Sequence, residues 1–514
     1  LSAHTPRSRP QAAALVSALV VLSLGLPARA QDETQVDVTQ TLTVEYRIDN
    51  QNGRLDDDDY GTIINRTNLS ATAGDISTQL RLDGSGFFEP PTGAFRDDLR
   101  LERLSVEYSL GDWTLTGGDF FQQLGRGIAL SIRKVNEVAF DIALRGGRLT
   151  WEGDDHQVLV FAGRVNPANF DNVSQRFIQD PEDIVTGGLY EFYGWDAATL
   201  GAFALYMQPD ERFLPSERDW VQGVGLYLDG AGLTDWLSLY VEGDFQRRKF
   251  GPLIEEGQAA YLNATASLGD ATLLLEGIYL DAFEIRGGTN TALGSRFFYN
   301  QTPTLERIDQ EVLNTRDVQG ARAQLEYLFV DLDLSVYANT MYRLTDPDLP
   351  NETRQTHHYL GFNWNYQGGL SRIGAIGGRR DEVLLIRPDD DFKTLNDFQL
   401  DYVQHLSGPY GLHLMSWNEF RTLEGRAYRR GSTFLGLEVT GLGSFTLEYG
   451  FDTQNPSPDI AQHFFAGILA WKLDDALELR ATGGTQRGGL KCIAGVCREF
   501  PGFAGARVEA IGRF

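Results

Sequence analysis

The chain has 514 residues, with 45 Lys and Arg against 71 Asp and Glu and a formal net charge of -26. So acidic a surface excludes nucleic acid as a partner, because a phosphate backbone demands a basic footprint. A mean hydropathy of -0.27 excludes a bundle of transmembrane helices but not a barrel, whose alternating strands hide their apolar faces from averaged hydropathy.

In chain order, the first element is an address. Arg7 and Arg9 precede the apolar run AAALVSALVVLSLGL, and Ala28-Arg29-Ala30 offers a small-residue cleavage site. Residues 1–30 are therefore expected to be a cleaved signal peptide. Beyond Leu26 no apolar run is long enough for a membrane helix.

From Val36 the sequence alternates. Val36, Val38, Leu42, Val44, Tyr46 and Ile48 oppose Asp37, Thr39, Thr41, Thr43, Glu45, Arg47 and Asp49, with Gln40 as the one polar intruder on the apolar side. A period of two puts these sets on opposite faces of a strand. The rhythm recurs to the last stretch, where Ala506, Val508, Ala510, Gly512 and Phe514 oppose Arg507, Glu509 and Arg513. An apolar-out, polar-in final strand ending on Phe resembles the closing strand of bacterial outer-membrane barrels.

The connections alternate too. Long polar stretches follow Asp49, Gly84, Val165, Met207, Lys249, Phe283, Arg343, Arg380, Thr422, Asp452 and Arg487, and between them come tight turns such as Gly74-Asp75, Gly111-Asp112 and Gly269-Asp270. Short turns on one side and long loops on the other are the habit of outer-membrane barrels. The expected fold is all-β: residues 31–514 form a single transmembrane, antiparallel up-and-down β-barrel of about 24 strands, within 22 to 26. A soluble sandwich alternates as well. Aromatic residues near strand ends, strands of about 10 to 14 residues, and the export signal favour the membrane. A receptor barrel with an N-terminal plug domain is not expected, since Val36 already begins the wall.

One stretch does not suit its place. DFFQQLGRGIALSIRKVNEV, beginning at Asp119, falls where an outer loop belongs, yet it carries Phe120, Phe121, Leu124, Ile128, Leu130 and Ile132. So apolar a loop should not lie free in water. Residues 118–137 are expected to fold into the lumen and narrow it; the alternative is an added hairpin lengthening the wall. Arg126, Arg133, Lys134, Arg145, Arg148 and Arg164 gather in the same region. Guanidinium groups lining a pore would bias ion passage, while the plainer reading pairs them with carboxylates on neighbouring strands. With Phe120 and Phe121 these cations are the candidate constriction residues.

GGDFFQQLGRGIALSIRK followed by DIALRGGRLTWEG resembles a signature of an uncharacterised family of long outer-membrane barrels in Gram-negative bacteria. The resemblance spans Trp113 to Gly163. More distantly, the chain is similar to substrate-specific porins and exopolysaccharide exporters. The resemblance implies location in the bacterial outer membrane and nothing about cargo.

Cys492 and Cys497 are the only cysteines, and in an exported chain they are expected to form a local disulfide. The acidic run Asp56, Asp57, Asp58, Asp59 and the run Asp389 to Asp391 offer hard oxygen ligands for Ca2+, which could bridge loops to lipopolysaccharide. Neither run has the spaced ligands of a calcium loop, and a solvated tip is the plainer reading. No resident metal or cofactor is expected. Nor is an enzyme: nucleophile-elbow, zinc-helix and phosphate-loop motifs are absent. Partners are outer-membrane lipid and lipopolysaccharide, a small hydrophilic solute, and a protein at the outer loops if the barrel serves as an anchor or assembly and secretion partner. The expected function is a porin-like outer-membrane channel for passive passage of hydrophilic solutes.

Overall fold

Alternation builds the first wall strand, Thr34–Asp49. Val44, Tyr46 and Ile48 stand exposed on its outward face, while Glu45 and Arg47 are buried on its inward face. The intruder Gln40 is satisfied by a neighbour, donating to Asn65 at 3.0 Å. The computed structural model describes residues 34–49, 58–90, 95–171, 173–210, 219–290, 295–306, 316–347, 349–384, 386, 393–454, 462–493 and 496–514. The signal peptide, Asp56, Asp57 and the Asp389 to Asp391 run lie outside the described residues.

Each wall strand pairs antiparallel with its neighbours in the sequence, and the last, Phe503–Arg513, returns to Thr34–Asp49 with Thr43 opposite Glu509 and Val44 opposite Val508. The result is a closed barrel of 24 antiparallel strands. Closure leaves no open sheet edge, which is what lets a sheet cross a membrane.

Tight turns cluster at one rim, the periplasmic one by the length rule. Gly74, Gly111 and Gly269 take positive φ there, at 55°, 57° and 65°. Val330–Leu332 makes a further turn of this set, as a short 3-10 segment that the apolar sequence LFVDL does not announce. Two outer connections expected to be long are tight. Leu237–Phe250 and Leu253–Leu268 meet with Phe250 opposite Leu253, and Tyr410–Leu423 and Arg426–Val439 meet with Leu423 opposite Arg426. The polar residues after Lys249 and Thr422 continue the ladder instead of leaving it. Gly251, Glu424 and Gly425 supply the positive φ those hairpins need.

The outward face is a membrane surface. Leu226, Leu360 and Phe465 are 67%, 66% and 63% exposed, which water would not tolerate in such number. Trp113, Trp195, Trp236, Trp364 and Trp471 mark the periplasmic rim, and Phe88, Tyr206, Tyr279, Tyr342 and Phe420 the outer one, all exposed. Two aromatic girdles around an apolar belt are the signature of a spanning barrel.

The inward face divides into two sectors. From Phe140–Glu152 round to Ala271–Asp281 it carries apolar groups, among them Leu144, Phe161, Val185, Phe203, Leu205, Met207 and Ile278, all buried in one cluster. From Val318–Phe329 round through the closure to Asp98–Leu110 it carries paired charges and amides, such as Arg421 with Glu419 at 2.8 Å and Arg507 with Glu45 at 2.5 Å, and at the boundary Arg322 reaches Glu276 of Ala271–Asp281 at 2.5 Å.

Candidate functional site

Strand Trp113–Phe120 is short, with eight residues where its neighbours have thirteen. It pairs directly with Phe140–Glu152 (Phe120 opposite Leu144), so of residues 121–139 only Lys134–Val135 joins the wall's ladder, against the first residues of Phe140–Glu152. Gly118, at φ 101°, starts the departure. The chain then makes a hairpin of its own, Gln122–Leu124 against Leu130–Ile132. Leu124, Ile128, Leu130 and Ile132 are fully buried, packed with the apolar sector of the inner wall. This explains the apolar loop sequence: one face of the hairpin and one sector of the wall bury each other.

The hairpin passes the inner faces of His156–Pro167, Ile184–Trp195, Ala198–Gln208 and Trp220–Thr234 and ends on Leu237–Phe250. At its tip the Arg126 N–H donates to Glu242 Oε2 at 2.8 Å, and Tyr240 donates its hydroxyl to the same carboxylate. A Cβ on Gly125, itself at φ 51°, would fall on the Glu242 carboxyl group. The Arg126 guanidinium lies 4.3 Å from the Tyr240 ring centroid and 3.9 Å from Asp229.

A second segment stitches to the first. The connection after Ala271–Asp281 turns inward, burying Phe283, Ile285, Phe297, Tyr299 and Leu305 in the same cluster. Ser131 N–H donates to the Tyr299 carbonyl at 2.7 Å, and Gln301 N–H to the Gly127 carbonyl at 2.8 Å. Tyr299 donates its hydroxyl to buried Asp183 at 2.5 Å; burial, reinforced by that carboxylate, raises its pKa well above the ordinary phenol value. Farther on, Glu306 meets His357 Nδ1 at 2.7 Å on the polar sector. A third segment follows Pro167, where Gln175 reaches Glu45 at 2.8 Å.

The candidate cations take different places. Arg126 stands at the hairpin tip with its side chain 51% exposed. Arg133 donates to Gln301 at 2.5 Å, and burial lowers its pKa. Lys134 pairs opposite Asp141 beside the wall; burial holds its ammonium below the ordinary value against the pull of that carboxylate. Arg148 faces inward, 3.4 Å from Glu107 and 5.7 Å from the Phe120 ring. Phe120 is buried and Phe121 exposed. Arg145 and Arg164 stand directly opposite each other on the outward face, bound to Asp119 at 3.0 Å and to Glu182 at 3.8 Å. The alternation explains their placement: Arg145 shares parity with Leu149 and Trp151, and Arg164 with Val158 and Val160.

Of the remaining candidates, Cys492 and Cys497 are opposite each other in the register of a small hairpin, Gly489–Ile493 against Val496–Phe500. Asp58 is half-buried and Asp59 exposed with φ 53°. Among the described residues, no group of three His, Cys, Asp or Glu side chains could hold a metal. Sequence reasoning missed Glu242, Tyr240 and Gln301; their only signal was inward parity or loop position.

No protein-family model matches the chain, and no curated protein does. Among solved structures it is similar to the translocation pore of the P pilus usher PapC, at 10% identity and TM-score 0.45 over 93% of this chain and 99% of that one. It is similar also to the siderophore receptor PirA from Pseudomonas aeruginosa, at 11% identity and TM-score 0.49 over 95% and 81%. The Pseudomonas aeruginosa protein OccK11 (OpdR) matches at 12% identity and TM-score 0.41 over 68% and 93%. Closure and the girdled apolar belt fix the class on their own. The chain is a β-barrel of the bacterial outer membrane.

Proposed function

We propose that this barrel is a passive channel for hydrophilic solutes, narrowed by the hairpin of residues 121–139 and its partner segment. One observation carries the reading: the in-turned segments bury their apolar faces against one sector of the inner wall. The opposite sector keeps charged and amide groups inward. A ring of about 24 strands is too wide for wall side chains alone to fill. Segments docked on one side reduce the opening and leave polar groups to line what remains. Water and polar solutes then cross without meeting lipid, and charge at the narrowest place biases which ones pass.

Arg126 is suited to that bias. Its side chain is half exposed, held by the Tyr240 ring and Asp229, on a tip fixed by Glu242. The rival reading, an anchor acting through long outer loops, would need an exposed docking face on the segment from Glu284 to Arg316. The described part of that segment instead buries Ile285, Phe297, Tyr299 and Leu305, which removes them from any docking surface. Planar-bilayer recording tests the proposal. Steady, ohmic single-channel currents support it, and a silent membrane with correctly folded protein overturns it.

A further inference from the structure

The outward face of the consecutive strands Leu334–Thr345, Thr353–Tyr366, Ser371–Leu384 and Lys393–His405 is grooved. Leu334, Val336, Leu360, Phe362, Trp364 and Phe398 stand around a trough of about 730 Å³, within the range of about 300–1,000 Å³ that small-molecule sites occupy. The register creates it. Gly377 lies between Leu360 and Phe398, and Ala375 lies opposite Phe362. The fold does not require glycine at 377: the ladder passes through it without a bulge, and a Cβ there would meet only the Asp397 carbonyl oxygen, at 3.9 Å. Its inward neighbour Gly378 differs, since a Cβ there would press on Tyr359 Cβ and Asp397 Oδ1, both at 2.8 Å. Glycine inside a regular strand weakens it and marks a place where a ligand or another chain comes close to the backbone.

A polar row stands directly above the trough. Thr340, His358, Arg379 and Asn396 are opposite one another on the four strands, all exposed. Thr340 is one step below Tyr342 of the outer girdle. Thr340 and His358 Nδ1 hydrogen-bond at 2.8 Å. Arg379 holds Asp381 at 2.9 Å, with its own side chain still 62% exposed. Above Leu360 and Gly377 the outward residues of the two central strands are Arg354, Thr356 and His358, and Arg379, Asp381 and Val383. Two guanidinium groups and an imidazole thus stand against one carboxylate, in a chain whose net charge is -26. The alternation sends all of these side chains toward lipid, where a cation is at ease only beside a polar headgroup.

We propose that this face binds one phosphorylated, acylated glycolipid of the outer leaflet, the class of lipopolysaccharide, with a phosphate on Arg379 and His358 and an acyl chain in the trough. Charge complementarity selects the headgroup. Guanidinium groups hold phosphate through paired N–H donors, and basic pockets between spanning elements recognise anionic headgroups in the same way. The trough selects the tail. From His358 to Trp364 of the periplasmic girdle it follows six residues, about 20 Å of strand, lined by apolar side chains and floored by Ala375 and Gly377. A second copy of this chain would have to bring an anion to the height of Arg379 as well as a ridge for the trough; a single phosphorylated lipid carries both. The site is on the wall and binds phosphate directly, unlike the acidic loop runs, which would need a bridging cation. It does not rest on the channel reading.

Native mass spectrometry of the folded barrel, released from detergent, tests the site with rough lipopolysaccharide (lipid A and a short core) as the probe. The expected result is one copy retained per barrel. Retention should fall at least tenfold for the same lipid stripped of its phosphates, and at least tenfold in Arg379→Gln. It should fall as far in Gly377→Leu, which fills the trough from a position where a Cβ meets no clash. It should persist in Arg247→Gln, which changes an exposed outward arginine on a distant strand. Heat-modifiable gel mobility confirms folding, and if one variant fails to fold the other reads the site. A wild-type barrel that retains no glycolipid, retention unchanged in either folded variant or without phosphates, or a dimer in place of the lipid overturns the proposal. This readout does not depend on current, so its failure is distinguishable from failure of the channel reading.

Discussion

Asp119 and Arg145, directly opposite each other in the ladder between Trp113–Phe120 and Phe140–Glu152, together bind Asp98–Leu110, a strand with no backbone ladder to Phe140–Glu152. Above Phe120 the short strand has left the wall, and Asp98–Leu110 faces Phe140–Glu152 across the gap. Asp119 accepts the Leu104 N–H at 2.8 Å and Arg145 Nε at 3.0 Å, while Arg145 also donates to the Glu102 carbonyl at 3.1 Å. Side chains thus stand in for the missing strand, as they must where a sheet edge would otherwise meet lipid.

Asp119→Ala should therefore cost stability out of proportion to a surface ion pair. The carboxylate is buried while Arg145 is half exposed, so the loss falls below that of a fully buried pair, at roughly 2–3 kcal/mol. Asp119→Asn, which keeps an acceptor for Leu104, should lose less. Denaturant titration of the folded barrel in detergent measures both; equal effects from the two variants would contradict the account.

Gly118→Ala should block assembly more severely than any nearby side-chain change. The residue has φ 101°, and an added Cβ would overlap the Leu104 carbonyl oxygen. A side chain at such a φ alone costs about 1–3 kcal/mol, and the overlap adds to it. The yield of heat-modifiable barrel should fall to a small fraction of wild type, whereas Gly117→Ala, with open space at its Cβ, should assemble.

Leu130→Ala should loosen the hairpin without opening the wall. Removing a fully buried Leu costs about 2–5 kcal/mol, but the ladder between Trp113–Phe120 and Phe140–Glu152 does not pass through it. Hydrogen exchange should rise across residues 121–139 and stay unchanged in both flanking strands.

Arg126→Ala should shift selectivity toward cations. It removes a half-exposed positive charge and leaves Asp229 and Glu242. Reversal potentials across a salt gradient measure it. Arg164→Ala, on the outward face, should leave the reversal potential where it was.

The wall was legible in the sequence because lipid on one side and polar groups on the other impose a strict period of two. Glu45 and Arg47 inward against Val44 and Tyr46 outward are read directly from alternation. The rhythm fails where both faces are apolar. In ATLGAFALYMQ, Phe203, Leu205 and Met207 turn inward because the hairpin covers them, and no strand-level pattern says what will cover a face. The misfit of Phe120 to Ile132 in a loop position marked the hairpin but not its destination. Glu242 is five strands away round the wall by chain order, and Gln301 comes from another loop. The outward placement of Arg145 and Arg164 follows from parity with Leu149 and Val160. Clustering of charge along the sequence concealed it, since neighbours in sequence alternate between lumen and lipid.

The most direct measurement compares single-channel conductance of the wild-type barrel with that of a variant in which residues 122–134 are replaced by a short Gly-Ser linker. The account predicts steady wild-type currents and a conductance several-fold larger in the variant, with heat-modifiable folding preserved. Equal conductance in the two folded proteins, or silence in both, would contradict it.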